Sequence, residues 1–264
     1  MVAEDRDRAY DGSRDSDNPL QERTTIRVPL LTLDVRLTPR LGLQAAASVP
    51  DITRTAVVPR PNGAINFREN FSGLGDTSVL AWYRVPPRAA WNATISAGLS
   101  LPTGRTETPR FAPELEDGSL VPMSRLQRGS GTFDPLIGIS LDRRISVGTL
   151  FGSVAARLPV AENETGLRTG ASWESSGGLA HELGTHRLSG FARVSWLHRS
   201  QDIFNGTPVL VGGGNWVYVT PGLAAQVGKG INVQVEVKLP VYRALANRQL
   251  DSRAIFQFGV SRSF

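Results

Sequence analysis

The stretch Ile231-Asn-Val-Gln-Val-Glu-Val-Lys-Leu-Pro-Val-Tyr242 alternates apolar and polar side chains along most of its length. A period of two is typical of a β-strand, in which successive side chains point to opposite faces, whereas a helix repeats every 3.6 residues. One face of this strand is therefore aliphatic and the other is polar. Either a single core or a bilayer can cover an aliphatic face, so the pattern alone leaves a soluble antiparallel sandwich or lipocalin-like binding module open.

The same alternation recurs in Trp91–Leu101 and before the C-terminus, and noisier versions fill much of the chain. We predict eleven strands, at 23–38, 40–56, 74–86, 90–103, 131–143, 146–160, 167–183, 187–201, 214–228, 230–243 and 251–264. They run about ten residues or more, which is the length that a tilted strand needs to cross the core of a bilayer.

The connections between these strands alternate between short and long. Short turns are predicted at 38–40, 86–89, 143–145, 184–186 and 228–230, and longer loops at 57–73, 104–130, 161–166, 202–213 and 244–250. Short turns on one side and long loops on the other are typical of outer-membrane barrels. The sequence therefore favours an all-β fold, an antiparallel transmembrane β-barrel, over the soluble alternatives.

An odd number of strands conflicts with this fold, because bacterial single-chain barrels have an even number. Residues 1–21 are charged and polar, and Ala3–Ala9 has no apolar face. We therefore predict a flexible polar segment at 1–21 and a barrel at 22–264. On this interpretation the leader peptide and the first of twelve strands are missing; a strand missed or wrongly split in the pattern is the alternative.

Composition excludes several other classes of protein. The 264 residues include 29 basic and 24 acidic side chains without a run of Lys and Arg, which argues against nucleic-acid binding. No stretch approaches 18 consecutive apolar residues, so no transmembrane helix is expected. The absence of cysteine excludes disulfides and cysteine-based metal or redox sites.

The polar faces of the predicted strands supply the candidates for a lumen lining. They are Asp34, Arg36, Arg84, Arg157, Glu174, Arg193, Trp216, Tyr218, Glu236, Lys238 and Arg253. Charges of both signs suit an open lumen whose selectivity they tune, and they equally suit a network of salt bridges that fills a narrow barrel. Porin-like passage of solutes and a plugged structural or interaction barrel therefore both remain.

Signs of catalysis or of a bound cofactor are weak. His181 and His186 flank a short turn, but two exposed ligands make a poor zinc site. We predict no catalytic residue, no metal and no cofactor. The long loop 104–130, with Glu114, Glu116 and Asp117, either folds inward as a constriction or lies exposed outside the barrel.

A series of short motifs resembles an outer-membrane family labelled "meta-pathway of phenol degradation" or transporter, over residues 22–264. The motifs are Gly73-Leu-Gly-Asp-Thr77, Leu101-Pro-Thr-Gly104, Gly129-Ser-Gly-Thr-Phe-Asp-Pro135, Thr220-Pro-Gly-Leu223, Leu239-Pro-Val-Tyr-Arg243 and a terminal Phe264. Within the first motif, Asp76 is predicted to bond its own backbone in a turn that starts a strand.

The resemblance implies a monomeric barrel in the outer membrane of a Gram-negative bacterium, and passage of small solutes, aromatic or hydrophobic compounds among them. The expected partners are outer-membrane lipid, lipopolysaccharide and the barrel-insertion machinery. Phe264 resembles the aromatic terminus that this machinery reads, with Phe256, Phe258 and Val260 before it. Arg262 departs from the hydrophobic residue expected at its position.

Overall fold

The computed structural model describes residues 1–61, 63–88, 90–106, 124–184, 187–209 and 212–263. The strands in the first part of the chain are β1 (Val2–Asp11), β2 (Arg14–Ser16), β3 (Arg23–Val28), β4 (Leu30–Arg36), β5 (Leu41–Ser48), β6 (Asp51–Arg60), β7 (Gly63–Ser72), β8 (Thr77–Arg88) and β9 (Trp91–Leu101). After a 3-10 turn at Ser124–Leu126 come β10 (Asp134–Ile145), β11 (Gly148–Arg157), β12 (Leu167–Arg168), β13 (Ser172–Glu182), β14 (Leu188–Arg199), β15 (Ile203–Phe204), β16 (Thr207–Pro208), β17 (Gly214–Gly228), β18 (Ile231–Leu245) and β19 (Gln249–Arg262).

Three pairs of these strands are consecutive pieces of longer strands. Only Pro29 separates β3 from β4, and Val49 and Pro50 separate β5 from β6. Proline has no N–H to donate to a ladder, which explains both interruptions. The third pair is β7 and β8, separated by 73–76. Joined in this way, and with the short β2, β12, β15 and β16 set aside, the described chain has twelve long strands.

The twelve strands pair antiparallel with their neighbours in chain order, and the last pairs with the first. Val2 of β1 lies opposite both Gln257 of β19 and Val28 of β3, so the ladder returns to the strands where it began. Toward the end of the barrel that lies past Val2, each flanking strand keeps its pairing on one side only. There β4 pairs with β5, and the end of β19 pairs with β18. In this part of the wall the described residues place no strand between β4 and the end of β19.

The expectation of a flexible segment over 1–21 is wrong, because β1 and β2 lie within it. We excluded a strand here since Ala3–Ala9 lacks an apolar face. Ion pairs take the place of apolar contacts: Arg6 Nη2 lies 2.7 Å from Glu4 Oε1, and Asp5 pairs with Arg23 of β3. Strand β1 is therefore part of the barrel wall, and it is one of the twelve long strands of the described chain.

The predicted loop at 57–73 is also wrong in large part. Ten residues of β7 pair with β6 along this stretch, from Asp51 opposite Ser72 to Arg60 opposite Gly63. The alternation of Ile65, Phe67 and Phe71 with polar residues is the signal that we missed, because Arg68 and Glu69 obscured it. This hairpin extends the wall of the barrel at the end that carries the long connections.

The two faces of the barrel wall have opposite character. On the outer face, Val235 and Phe256 are 48% and 58% exposed, whereas Glu236 and Lys238 on the inner face are 4% and 9% exposed. A soluble sandwich or lipocalin-like barrel would place its aliphatic face inside. The arrangement seen here is that of a membrane barrel, whose apolar band faces lipid and whose interior is polar.

The two ends of the barrel differ as the connection lengths predict. One end, here called the turn end, carries the short connections after β4, β8, β10, β13 and β17. The other, the loop end, carries the long segments after β9, β11 and β14. There β12, β15 and β16 form a small sheet over Leu167, Phe204 and Val209. None of the described residues belongs to a helix long and apolar enough to cross a membrane.

Candidate functional site: the barrel lumen

The lumen has two walls with very different side chains. The filled wall is the lumen face of β1, β14, β17, β18 and β19, where large aromatic and charged residues are buried. The open wall is the lumen face of β9, β10, β11 and β13. Its central residues are small: Ser96, Gly138, Ser140, Ser153, Ala155 and Ser176. Because Ser140, Ser153 and Ala155 are exposed, space remains in front of this wall.

An aromatic cluster forms the core of the filled wall at the loop end. Tyr10, Trp216, Tyr218 and Leu245 are buried together. The indole N–H of Trp216 donates to Asp251 Oδ2 at 3.1 Å, and Arg243 Nε lies 3.1 Å from the same oxygen. The Arg243 guanidinium also stacks 4.0 Å from the centre of the Tyr10 ring. Each charge is thus paired, as burial in a barrel requires.

Two further ion pairs reach across intervening strands. Lys238 Nζ on β18 lies 2.8 Å from Glu174 Oε1 on β13, and 4.4 Å from the ring centre of Tyr218. Arg193 Nη2 on β14 lies 2.8 Å from Glu236 Oε1 on β18. Since β14 and β17 stand between β13 and β18, these side chains occupy the lumen itself and narrow it.

A cavity of about 220 Å³ lies beside this cluster. Its lining includes Trp216, Tyr218 and Lys238, together with Glu4 and Arg6 of β1. It exceeds the roughly 150 Å³ of an engineered cavity that binds benzene. The cavity can therefore hold a solute about as large as one aromatic ring, with charges of both signs at its edge.

Three of the sequence motifs meet at the loop end of the open wall. Arg157 Nη2 lies 2.6 Å from Asp134 Oδ2 and 3.0 Å from Asp76 Oδ2. Asp76 also accepts hydrogen bonds from the backbone N–H of Ser130 at 2.8 Å and of Gly104 at 3.3 Å. The prediction that Asp76 bonds its own backbone is therefore wrong. Its carboxylate instead ties both ends of the long loop to the barrel wall.

The returning part of this loop lies inside the loop end of the lumen. Leu126 is 1% exposed and packs against Ile26, Ile52 and Phe71 on the lumen face of β3, β6 and β7. Ser124 Oγ accepts a hydrogen bond from Arg199 Nη2 of β14 at 2.8 Å. This segment thus reaches from one side of the barrel mouth to the other. Glu114, Glu116 and Asp117 lie outside the described residues.

The structure brings six of the eleven predicted lumen residues together. These are Glu174, Arg193, Trp216, Tyr218, Glu236 and Lys238. Arg157 lies elsewhere in the lumen, at the loop end, with Asp76 and Asp134. Asp34 lies apart, on β4, where its Oδ2 accepts a hydrogen bond from Trp82 Nε1 at 3.1 Å. Arg36 and Arg84 are exposed on β4 and β8. What each of these side chains does for a solute stays a prediction.

The placement of Arg253 in the lumen is wrong. Its Nη2 lies 3.1 Å from Asp7 Oδ2, and its side chain is 60% exposed. The register between β1 and β19 shifts between Glu4 and Arg6, so the inside–outside alternation assumed for β19 does not carry through this point. Arg6 faces the lumen, and its neighbours along β1 therefore face outward with Arg253.

The predicted insertion signal lies on the last strand. Phe256, Phe258 and Val260 are exposed on the outer face of β19, and Phe264 lies outside the described residues. His186, one of two histidines weighed for a metal, lies outside them too. His181 Nδ1 is 2.7 Å from the carbonyl of Val147. The described part of the chain holds no group of three or more His, Asp or Glu side chains placed for a metal ion.

Several lumen residues escaped the sequence analysis. Glu4, Arg6 and Tyr10 were missed because we assigned their segment to a flexible tail. Arg243 and Asp251 were missed because they border the predicted loop 244–250, which is shorter in the structure. The alternation of Glu4 and Arg6 with acidic residues was the available signal for a strand. A strand needs no apolar face when one side borders a polar lumen and the other side pairs with charged residues on the outer surface.

Comparisons with known proteins give a likeness of fold. No family model matches the chain, and no curated protein does. Among solved structures, an outer membrane channel from Pseudomonas putida F1 is similar with a TM-score of 0.71 and 12% identity, covering 100% of this chain and 92% of that one. The β domain of the Bordetella autotransporter Brka gives a TM-score of 0.46 at 14% identity, covering 100% and 98%, and supports no argument. The chain thus has the fold of an outer-membrane β-barrel.

Proposed function

We propose that the chain is an outer-membrane channel that passes small solutes along the open wall of its lumen. The observation that carries this proposal is the exposure of Ser140, Ser153 and Ala155 inside the barrel, where the facing wall leaves space. The printed description of the Pseudomonas putida F1 structure as a channel supports it. Aromatic or hydrophobic solutes remain the class that the family resemblance implies, and the ring-sized cavity beside Trp216 and Tyr218 supports that class.

The rival is a plugged barrel with a structural or interaction role. The ion pairs Lys238–Glu174 and Arg193–Glu236 favour it, and so does the inward segment at Leu126. These groups occupy the part of the lumen in front of the filled wall and at the loop end. They leave the open wall uncovered over its central residues, and for this reason we prefer the channel.

The proposed setting is the outer membrane of a Gram-negative bacterium, with the protein as a monomer in contact with lipid and lipopolysaccharide. The aliphatic outer face of the barrel supports this location. The insertion machinery is the proposed partner for Phe256, Phe258 and Val260, which stand in a row on the outer face of β19.

Two measurements on the refolded chain test the proposal. In detergent, the unboiled protein should migrate faster on a gel than the boiled protein, as a closed barrel does. In a planar bilayer, the same preparation should give discrete conductance steps. A mobility shift without any conductance would favour the plugged barrel, and the absence of both would overturn the proposal.

A further inference from the structure

A continuous row of hydroxyl side chains crosses six neighbouring strands on the lumen face. Cross-strand pairing sets Thr94 opposite Ser140, Ser140 opposite Ser153 and Ser153 opposite Ser176. It continues with Ser176 opposite Ser195 and Ser195 opposite Tyr218. We call these six residues the hydroxyl row: Thr94, Ser140, Ser153, Ser176, Ser195 and Tyr218. None of them carries a charge.

The hydroxyl row climbs from the turn end to the loop end. Thr94 lies three residues after Trp91, where β9 begins at the turn end. Tyr218 lies ten residues before Gly228, where β17 reaches that same end. The climb arises because paired residues lie across the strands, and the strands of a barrel are tilted to its axis. The row therefore connects one mouth of the barrel with the aromatic cluster.

Small neighbours keep the middle of this row accessible. Gly138 and Ala155 lie next to it on the same face, one position nearer the loop end. Their size leaves Ser140 and Ser153 exposed to the lumen. One hydrogen bond joins members of the row, between the hydroxyls of Ser153 and Ser176 at 2.9 Å. A solute in the lumen can therefore contact hydroxyls along this wall.

Two buried hydroxyls at the upper part of the row point to a missing partner. Ser195 Oγ belongs to a side chain that is 1% exposed, and it has no hydrogen-bond partner among the described residues. Thr220 Oγ1, on the lumen face of the adjacent β17, is equally buried and equally unpaired in that part of the chain. Buried hydroxyl groups in proteins are nearly always hydrogen-bonded. Both side chains lie on the lumen face, so the described residues leave the hydrogen-bonding capacity of two hydroxyls unused at this level of the wall.

We propose that the hydroxyl row is a hydrogen-bonding track that favours small neutral solutes carrying hydroxyl groups. A hydroxyl both donates and accepts, so each position that is open to the lumen can replace one bond that such a solute makes with water. The strands set successive hydroxyls about 5 Å apart, and a solute can therefore contact the next one before it releases the last. A solute without hydroxyls or other donor groups can accept hydrogen bonds from the track, but it cannot donate to it. This inference rests on the proposed channel function.

Liposome swelling tests the track with two solutes of zero net charge. Arabinose carries hydroxyl groups, and the zwitterion glycine betaine carries none. The measured quantity is the ratio of the two swelling rates, because it does not depend on the number of inserted channels. In the variant Ser140→Ala, Ser153→Ala, Ser176→Ala, we expect the arabinose-to-betaine ratio to fall about threefold or more, since each lost bond weakens the preference. A mobility shift on the unboiled gel verifies that this variant folds.

The matched control is Ser175→Ala, which removes a hydroxyl from the outer face of β13, the strand that carries Ser176 on its inner face. This variant should keep the wild-type ratio. If the wild type passes both solutes and the triple variant keeps its ratio, the track is overturned while the channel stands. If the wild type passes neither solute, the proposed function fails and the track fails with it.

Discussion

The filled and open walls of the lumen are built from strands of the same kind. On their outer faces they are alike: Val154 and Val194 are exposed to about the same extent as Val235. On their inner faces the filled wall carries Trp216, Tyr218 and paired charges, whereas the centre of the open wall carries serine, glycine and alanine. Alternation thus decides which face turns inward, and side-chain size alone decides whether the interior is occupied.

This difference makes the two walls unequal in stability and in transport. On the filled wall, each large side chain contacts several others, so its removal leaves a void or an unpaired charge. On the open wall, the side chains border empty lumen and their removal leaves little behind. Substitutions on the filled wall should therefore change the free energy of unfolding, and substitutions on the open wall should mainly change passage.

The largest effect is expected for Trp216→Ala on the filled wall. This change removes a buried indole and also its hydrogen bond to Asp251, which keeps its ion pair with Arg243 and the hydrogen bond from the Ser252 backbone N–H. We expect a loss of about 3–5 kcal/mol in the free energy of unfolding, the usual cost of such a truncation. Denaturant titration of the refolded barrel in detergent measures it.

Trp173→Ala provides the matched control, since this tryptophan lies exposed on the outer face of β13. It should cost less than half as much as Trp216→Ala. Equal losses at the two positions would contradict the distinction between a packed inner wall and a lipid-facing surface.

A smaller loss is expected for Arg193→Met, which leaves Glu236 buried without its cation. Gln234 Nε2 still donates to Glu236 Oε2 at 3.1 Å, and the Arg193 side chain is partly open to solvent, so the cost should be about 2–3 kcal/mol. Adding Glu236→Gln should restore part of the stability, because it removes the stranded charge.

The pair Arg144–Glu182 gives the comparison for this experiment. Its atoms lie 3.3 Å apart, but the side chains are 82% and 51% exposed at the turn end. Arg144→Met should change the free energy of unfolding by about 0.5 kcal/mol or less. A loss as large as that of Arg193→Met would show that burial in the lumen does not decide the value of an ion pair.

Much of the barrel could be predicted from the sequence, because lipid imposes a period of two wherever a strand meets it. Strands such as Ile231–Leu245 and Trp91–Leu101 carry that period plainly. β1 does not, since its Glu4 and Arg6 face the lumen and its Asp5 and Asp7 pair with arginines outside. Charge pairs between distant segments leave no alternation of apolar residues, so the period imposed by lipid could not reveal this strand.

The candidate site was less predictable for the same reason. Polar residues on the inner face could be named from alternation, but their partners could not. Asp76 and Asp134 lie 58 positions apart, and Arg157 pairs with both. The hydroxyl row is likewise spread over six strands, and its members align only once the register is known. Arg253 shows how alternation can fail. One irregularity in the register between β1 and β19 turns its side chain from the inner to the outer face.

The smallest effect on stability, together with a clear effect on passage, is expected for Ala155→Trp on the open wall. Ala155 is exposed to the lumen, so a large ring can extend into empty space with a cost of about 1 kcal/mol or less. The same ring should narrow the path and lower single-channel conductance several-fold.

Val154→Trp places an equal ring one residue away on the outer face, and its conductance should match the wild type. Unchanged conductance in both variants would mean that solutes do not pass along this wall. An unfolded Ala155→Trp protein would mean that the wall is not open, because only a packed interior rejects the added volume.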